Sequence, residues 1–152
     1  PFQMSSVEFF NMVKDHLTEN GVMVVNMNMR GSGERNINQY LADTIASVFG
    51  TVYTADVKGS TNRELFASNQ EDMLDTLKNN AGNLANADLQ NMMLAVADTS
   101  TQYDGGDYIM TDDKAPVELL GMQVIDQVIK EEVAYYKGIY EEQGLDGLLQ
   151  SL

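Results

Sequence analysis

The stretch that decides the fold is Thr51–Ser68, TVYTADVKGSTNRELFAS. Its first seven residues are rich in β-branched and aromatic side chains, which are typical of strands. Lys58–Asn62, KGSTN, has the composition of a turn, and Glu64–Ser68 continues as a second strand. Two strands joined by so short a turn form a β-hairpin, so one strand of the sheet must run antiparallel to its neighbour.

Upstream of the hairpin, the apolar pattern predicts a helix, a buried strand and a second helix. Ser5 and Glu8 have the spacing of a capping box, which predicts a helix over 5–20. Val22–Met27, VMVVNM, is a nearly continuous apolar run of the kind that is buried on both faces in a parallel sheet. A helical period of apolar residues predicts the second helix over 37–48.

The loop Arg30–Gly33, RGSG, follows the predicted buried strand. Ligands bind at this end of the strands in open α/β sheets. Two glycines are weak evidence for a phosphate site, and the full G-x-G-x-x-G pattern is absent.

Downstream of the hairpin the pattern becomes helical. Two helices are predicted within 71–97, followed by a polar loop over 98–115 that contains five aspartates. The aspartates lack the spacing and the closing glutamate of a calcium loop, so no metal site is predicted. A long helix is expected from near Pro116 to about residue 141, and its broad apolar stripe packs on the sheet or on another subunit. This stripe comprises Leu120, Val124, Val128, Ile129, Val133, Tyr136 and Tyr140.

The order of these elements resembles the C-terminal half of a class I S-adenosylmethionine-dependent methyltransferase. The fold class is therefore predicted to be α/β, a Rossmann-like half sheet with a β-hairpin that supplies an antiparallel strand, plus C-terminal helices. Residues 1–70 are expected to form the half sheet. Residues 71–152 are expected to form a helical extension that packs on it, giving one domain overall.

The amino-acid composition excludes several kinds of functional site. The 152 residues include no cysteine and one histidine, which excludes disulfides, thiolate zinc sites and cysteine nucleophiles. Nine basic and 23 acidic residues give a net charge of −14, so no nucleic-acid partner is expected. An acidic pocket would suit a cationic ligand, although acidity also serves solubility alone.

No membrane segment or signal peptide is predicted in this chain, and a cytoplasmic location is expected, because no apolar run approaches the roughly 18 residues of a span. The first residue is Pro1 rather than methionine, so the native chain is expected to extend upstream.

Three stretches resemble spermidine-synthase-like proteins, the polyamine aminopropyltransferases. Pro1–Phe10, PFQMSSVEFF, is similar to the family's P-x-x-L-T-T-x-E-F-F segment. Phe49–Ser68 is similar to the hairpin F-x-x-V-Y … G-x-x-N-x-x-L-x-A-S. Met110–Glu118, MTDDKAPVE, resembles the L-T-D-D-x-A-P-V-E signature of a divergent branch. Their order and spacing extend over most of residues 1–118.

The resemblance implies transfer of an aminopropyl group from decarboxylated S-adenosylmethionine to a small-molecule amine. A neutral amine attacks the carbon next to the sulfonium, and a carboxylate holds or deprotonates that amine. The family's cofactor loop and catalytic aspartate precede the segment that matches Pro1. The catalytic residues are therefore expected upstream, and the chain alone is expected to bind no cofactor and to be inactive.

Six residues are candidates for the rim of a substrate site. One follows the missing catalytic loop, three surround the hairpin turn and two form a negative lid: Gln3, Asp56, Lys58, Asn62, Asp112 and Asp113. Typical members of the family place a tyrosine in the hairpin turn to seat the amine, whereas this chain has Val57 and Lys58 there. Asn62 also suits a plain turn residue, and Asp113 also suits a helix cap.

Three functions remain open from the sequence. The chain is part of an aminopropyltransferase, or a non-catalytic association module on the same scaffold, or part of a small-molecule S-adenosylmethionine-dependent methyltransferase. A homo-oligomer is expected, because half a sheet leaves an edge and an apolar face to cover.

Overall fold

The computed structural model of the chain describes residues 2–27 and 35–151. The elements in chain order are a 3-10 turn Phe2–Met4, α1 Val7–His16, β1 Met23–Met27, α2 Ile37–Ala46, β2 Thr51–Asp56, β3 Arg63–Ser68, α3 Met73–Gly82, α4 Ala87–Thr99, β4 Thr101–Gln102 and α5 Val117–Ser151. The Arg30–Gly33 loop lies outside the described residues. The chain divides into two compact units, Pro1–Val117 and Glu118–Leu152. The proposed boundary between residues 70 and 71 stays a prediction.

The four strands form one sheet in the order β1-β3-β2-β4, and every neighbouring pair is antiparallel. The predicted hairpin is confirmed, since β2 and β3 pair from Thr51 opposite Ser68 to Asp56 opposite Arg63. Because β3 is antiparallel to both neighbours, β1 and β2 run in the same direction on either side of it. The chain therefore has a mixed α/β fold in which the last strand of the hairpin is inserted between two earlier strands.

The prediction that Val22–Met27 is a strand buried on both faces of a parallel sheet is wrong. Among the described strands, β1 pairs with β3 alone, in antiparallel register, and its exposure alternates along the strand. Val24 is 54% exposed, whereas Met27 at the end of the strand is buried. A run of apolar residues fits either burial pattern, so the sequence could not show which face would be covered.

One face of the sheet packs on α1 and α2 and forms the core. Leu65 of β3 is fully buried there, in the same cluster as Val52 of β2. Phe10 from α1 and Ile45 from α2 complete this layer. Side chains at every second strand position reach the same face, so the core takes alternate residues from β2 and β3.

Helix α1 begins one residue later than the predicted capping box. Ser6, not Ser5, is the N-cap, and its hydroxyl accepts a hydrogen bond from the Phe9 N–H at 3.2 Å. Glu8 is therefore not the reciprocal partner of the cap. The helix ends at His16 because Leu17 is already extended, so the expected extent to residue 20 is wrong by about one turn.

The downstream helices agree with the sequence pattern more closely than the polar stretch does. Helices α3 and α4 occur where two helices were expected, and Asn86 caps α4 by accepting from the Leu89 N–H. The predicted loop 98–115 contains a short strand, β4, which pairs with β2. The long helix α5 starts at Val117 and continues past the expected end, with a non-helical residue at Gly144, φ 69°.

The different burial of Leu65 and Val24 predicts that their substitution by alanine has very different effects on the free energy of unfolding. Leu65→Ala should lower the free energy of unfolding by about 2–5 kcal/mol, because it leaves a cavity in a fully buried layer. Val24→Ala, on the exposed face of β1, should cost about 0.5 kcal/mol or less. Urea unfolding followed by circular dichroism measures both, and equal effects would contradict this assignment of the two faces.

Candidate functional site

The turn end of the hairpin carries an ion pair between its two strands. Arg63 donates from Nε to Asp56 Oδ1 at 2.5 Å and from its terminal nitrogen to Oδ2 at 3.0 Å. These bonds lower the pKa of Asp56 from its ordinary value and raise that of Arg63. The Arg63 and Asp56 side chains stay 50% and 70% exposed, so the pair is a surface feature with a small effect on stability.

The turn between these strands is held by its own backbone. The Val57 N–H donates to the Asn62 carbonyl at 3.0 Å, and the Asn62 N–H donates to the Ser60 hydroxyl at 3.1 Å. Gly59 has a φ of 74°, which favours glycine. These contacts give Asn62 the role of a turn residue. Lys58 is exposed at the tip of the turn.

A small cavity lies beside the hairpin, at the end of β1 and the start of α2. Its volume is about 260 Å³. The lining residues combine amide, hydroxyl and apolar groups with one guanidinium: Met27, Asn36, Asn38, Gln39, Ala42, Thr54, Arg63 and Tyr103. Arg63 connects the cavity to the ion pair with Asp56. Since β1 and β2 both end here, the cavity occupies the edge at which α/β sheets bind ligands.

A buried carboxylate stands behind the cavity. Asp43 of α2 is 1% exposed and accepts hydrogen bonds from the Tyr103 hydroxyl at 2.5 Å and from the Tyr108 N–H at 3.0 Å. Burial raises the pKa of Tyr103 above its usual range, and the hydrogen bond and charge of Asp43 raise it further. A side chain at Gly106 would place its Cβ 2.7 Å from Asp43 Oδ2, so the loop depends on glycine at this position.

Sequence reasoning missed both Asp43 and Tyr103. The available signal was an aspartate within the otherwise buried stretch Ala42–Ile45 of an amphipathic helix. A charged residue on such a face requires hydrogen-bond donors from elsewhere in the chain. The donors come from the 98–115 segment, about 60 residues away, which was interpreted as a polar loop.

The end of the same segment is joined to the start of α1. Ser6 donates to Asp112 Oδ1 at 2.5 Å, and the Asp112 N–H donates to Glu8 Oε2 at 3.0 Å. The Val7 N–H also donates to the Met110 carbonyl at 2.9 Å. These three bonds fasten Met110–Asp112 across the first turn of the helix. Asp112 therefore acts in the structure as a connector between the two segments.

The remaining two candidates lie next to this junction. Gln3 is exposed in the 3-10 turn that precedes α1. Asp113 is exposed in the turn that Thr111 and Lys114 close by a pair of backbone hydrogen bonds. Because α5 begins only at Val117, the alternative that Asp113 caps this helix is wrong. The six predicted residues thus form two groups, one at the hairpin turn and one at the start of α1.

The opposite face of the sheet has a larger and more apolar cavity of about 590 Å³. Val24, Tyr53 and Phe66 line it from three neighbouring strands. Met73 of α3 and Met93 of α4 line the other side. Tyr53 and Tyr103 therefore belong to different cavities on opposite faces.

Two further properties concern the described part of the chain. In residues 2–27 and 35–151, no cluster of three or more histidine, aspartate or glutamate side chains is arranged to hold a metal ion. None of the helices in these ranges combines the length and the apolar character that crossing a membrane requires.

The fold and the cavity place the chain among mixed α/β proteins with a small polar cavity at the edge of the sheet where β1 and β2 end. One similar curated protein is the "Probable polyamine aminopropyl transferase" of Bifidobacterium longum (strain NCC 2705), which is 47% identical over 169 aligned residues. The alignment covers 100% of this chain and 38% of that protein, so the chain spans less than half the length of this relative. No protein-family model and no solved structure matches the chain.

The Tyr103–Asp43 contact predicts a loss of stability in alkali. A tyrosine whose pKa is higher in the folded than in the unfolded state stabilises the fold fully below the unfolded value of about 10. That contribution is lost as the pH rises through the folded value. The urea midpoint should therefore fall above about pH 10, and Tyr103→Phe should reduce the slope of this fall.

Asp43→Asn provides the matched variant, since it keeps Tyr103 buried and removes the charge. Its slope above about pH 10 should lie between those of the native chain and Tyr103→Phe. Equal slopes for all three proteins would show that Tyr103 does not ionise with the predicted linkage.

Proposed function

We propose that the chain supplies part of the catalytic fold of a spermidine-synthase-like polyamine aminopropyltransferase. The supporting observation is the 47% identity to the Bifidobacterium longum protein across the full length of this chain. The antiparallel strand β3, inserted between β1 and β2, is consistent with the C-terminal half of a methyltransferase-like, Rossmann-like sheet. The whole protein's activity, its amine substrate and its decarboxylated S-adenosylmethionine donor are parts of this proposal.

The described cavity does not suit the sulfonium donor. Among the residues that the structure describes, its lining contains one cation, Arg63, and no carboxylate. A cationic donor is better held by acidic or aromatic walls. We therefore assign no donor-binding or catalytic role to these residues, in keeping with the expectation that the catalytic residues lie upstream of Pro1.

The cavity does suit the uncharged end of an amine. The Tyr103 hydroxyl donates a hydrogen bond to Asp43, so its oxygen keeps lone pairs that can accept an amine N–H. The buried carboxylate polarises this oxygen and strengthens it as an acceptor. Asp56 offsets the positive charge of Arg63 at the rim, which reduces repulsion of the amine. In this arrangement Tyr103 takes the place of the tyrosine that is absent from the hairpin turn.

The other residues predicted from the sequence form the outer rim in this proposal. Lys58 and Asn62 stand at the turn beside the Asp56–Arg63 pair. Gln3, Asp112 and Asp113 form the second group, at the start of α1, and their contacts with substrate stay predictions. The cytoplasmic location also stays a prediction.

The proposed activity predicts a product that is one aminopropyl group heavier than the acceptor. The intact protein that contains this chain should be incubated with decarboxylated S-adenosylmethionine and a series of diamines, and the products weighed by mass spectrometry. A gain of one methyl group, with S-adenosylmethionine as donor, would identify a methyltransferase instead. No transfer from either donor would favour the association module.

Tyr103→Phe tests the amine seat within the same assay. Loss of one hydrogen bond to a neutral group should raise KM for the amine about 5–10-fold and leave kcat nearly unchanged. Tyr53→Phe is the control, since Tyr53 lines the cavity on the other face of the sheet. An equal effect of the two variants would exclude this cavity as the amine site without excluding the activity.

For the 152-residue chain alone, we expect no binding of either donor tighter than millimolar. Isothermal calorimetry with S-adenosylmethionine and with its decarboxylated form measures this directly. Micromolar binding would show that this chain holds the donor, and the expectation that the donor site lies outside the chain would then be wrong.

A further inference from the structure

The segment 117–143 of α5 has an apolar stripe on an exposed side, and it differs from the stripe predicted from sequence in that it lacks Leu120, Val124 and Val128. The stripe consists of Met122, Ile125, Ile129, Val133, Tyr136 and Tyr140. Five of these side chains are between 54% and 61% exposed, and Tyr136 is partly buried. A row of large apolar side chains with this exposure marks an interaction surface rather than isolated surface residues.

The spacing of the stripe fits a nearly straight helix. Met122 and Val133, Ile125 and Tyr136, and Ile129 and Tyr140 are each eleven residues apart. Eleven residues make about three turns, so an eleven-residue repeat stays on one side of a helix with little supercoiling. The stripe extends for about 27 Å at 1.5 Å per residue, and it ends before the break at Gly144.

We propose that this stripe binds the same stripe of a second copy of the chain, with the two helices antiparallel. A two-fold axis near residue 131 places Ile129 opposite Val133 of the second copy. The same axis places Met122 opposite Tyr140, and it places Ile125 within one residue of the position opposite Tyr136. Each tyrosine then faces a smaller aliphatic side chain, which suits close packing. This inference does not depend on the proposed activity.

Charge at the edge of the stripe agrees with this pairing. Asp126 and Lys137 lie on the same flank, and their numbers sum to 263, one more than the 262 of the axis, so each lies within one residue of the position opposite the other. Lys137 already pairs with Glu141 at 3.6 Å, but that pair is exposed and weak enough to be shared. The antiparallel arrangement also separates the acidic Glu141 and Glu142 of the two copies, which a parallel one would bring together.

Sedimentation of the 152-residue chain tests the surface. The native chain should form a dimer, and Ile129→Asp should raise its dissociation constant at least about 100-fold, because both copies place the new charge near the axis. Val128→Asp is the matched control, since Val128 is 41% exposed on a different side of the same helix. Circular dichroism confirms that both variants keep their helix. A monomeric native chain, or a dimer that survives Ile129→Asp, would overturn the proposal.

A charge exchange tests the antiparallel direction. Asp126→Lys and Lys137→Asp should each weaken self-association about 5–10-fold, because each places like charges opposite one another. An equimolar mixture of the two variants should form a heterodimer with affinity near that of the native dimer, since opposite charges then meet at both ends. If the mixture associates no better than the single variants, the helices are not antiparallel in the way proposed.

Discussion

The buried carboxylate of Asp43 is the group on which the arrangement of the site depends. It lies in the middle of α2, where an uncompensated charge would be strongly destabilising. Its two donors, the Tyr103 hydroxyl and the Tyr108 N–H, come from a distant segment of irregular chain. The desolvation of one carboxylate therefore fixes the path of that segment across the helix. In the described residues, no buried side-chain nitrogen or oxygen is left without a partner.

The rest of the segment follows from this constraint. Next to Asp43, Thr44 accepts a hydrogen bond from the Met110 N–H at 2.9 Å and donates its own hydroxyl proton to the Tyr40 carbonyl at 2.6 Å. Asp112, two residues after Met110, accepts a hydrogen bond from the Ser6 hydroxyl and so fixes the start of α1. One polar row on α2 thus positions the tyrosine of the cavity and the cap of another helix. A substitution of Asp43 should therefore displace both Tyr103 and the start of α1, because the same stretch of the chain contacts Asp43, Thr44 and Ser6.

The hairpin shows why part of the fold could be predicted from sequence. Its strands and turn depend on local chemistry, namely the β-branched residues of the first strand and the glycine at a positive φ in the turn, and the structure agrees within one residue. The face of β1 could not be predicted in this way, because Val24 and Val25 are alike and only their neighbours differ. Asp43 and Tyr103 were missed for a related reason. Their value as a pair arises from a contact across 60 residues, which no local period reports.

The two cavities differ in the kind of side chain that lines them. The apolar cavity between the sheet and α3 and α4 is lined mainly by apolar residues, whose presence there is explained by packing. The polar cavity contains a tyrosine whose hydrogen-bond partner is buried and negative, together with a guanidinium neutralised at the rim. An acceptor of this kind suits an amine that must remain unprotonated to react. Among the described residues, the lining supplies no carboxylate to receive the proton directly, because Asp43 is shielded by Tyr103. In the proposed function the cavity therefore orients the amine, and activation of that amine requires a base other than the described residues that line the cavity.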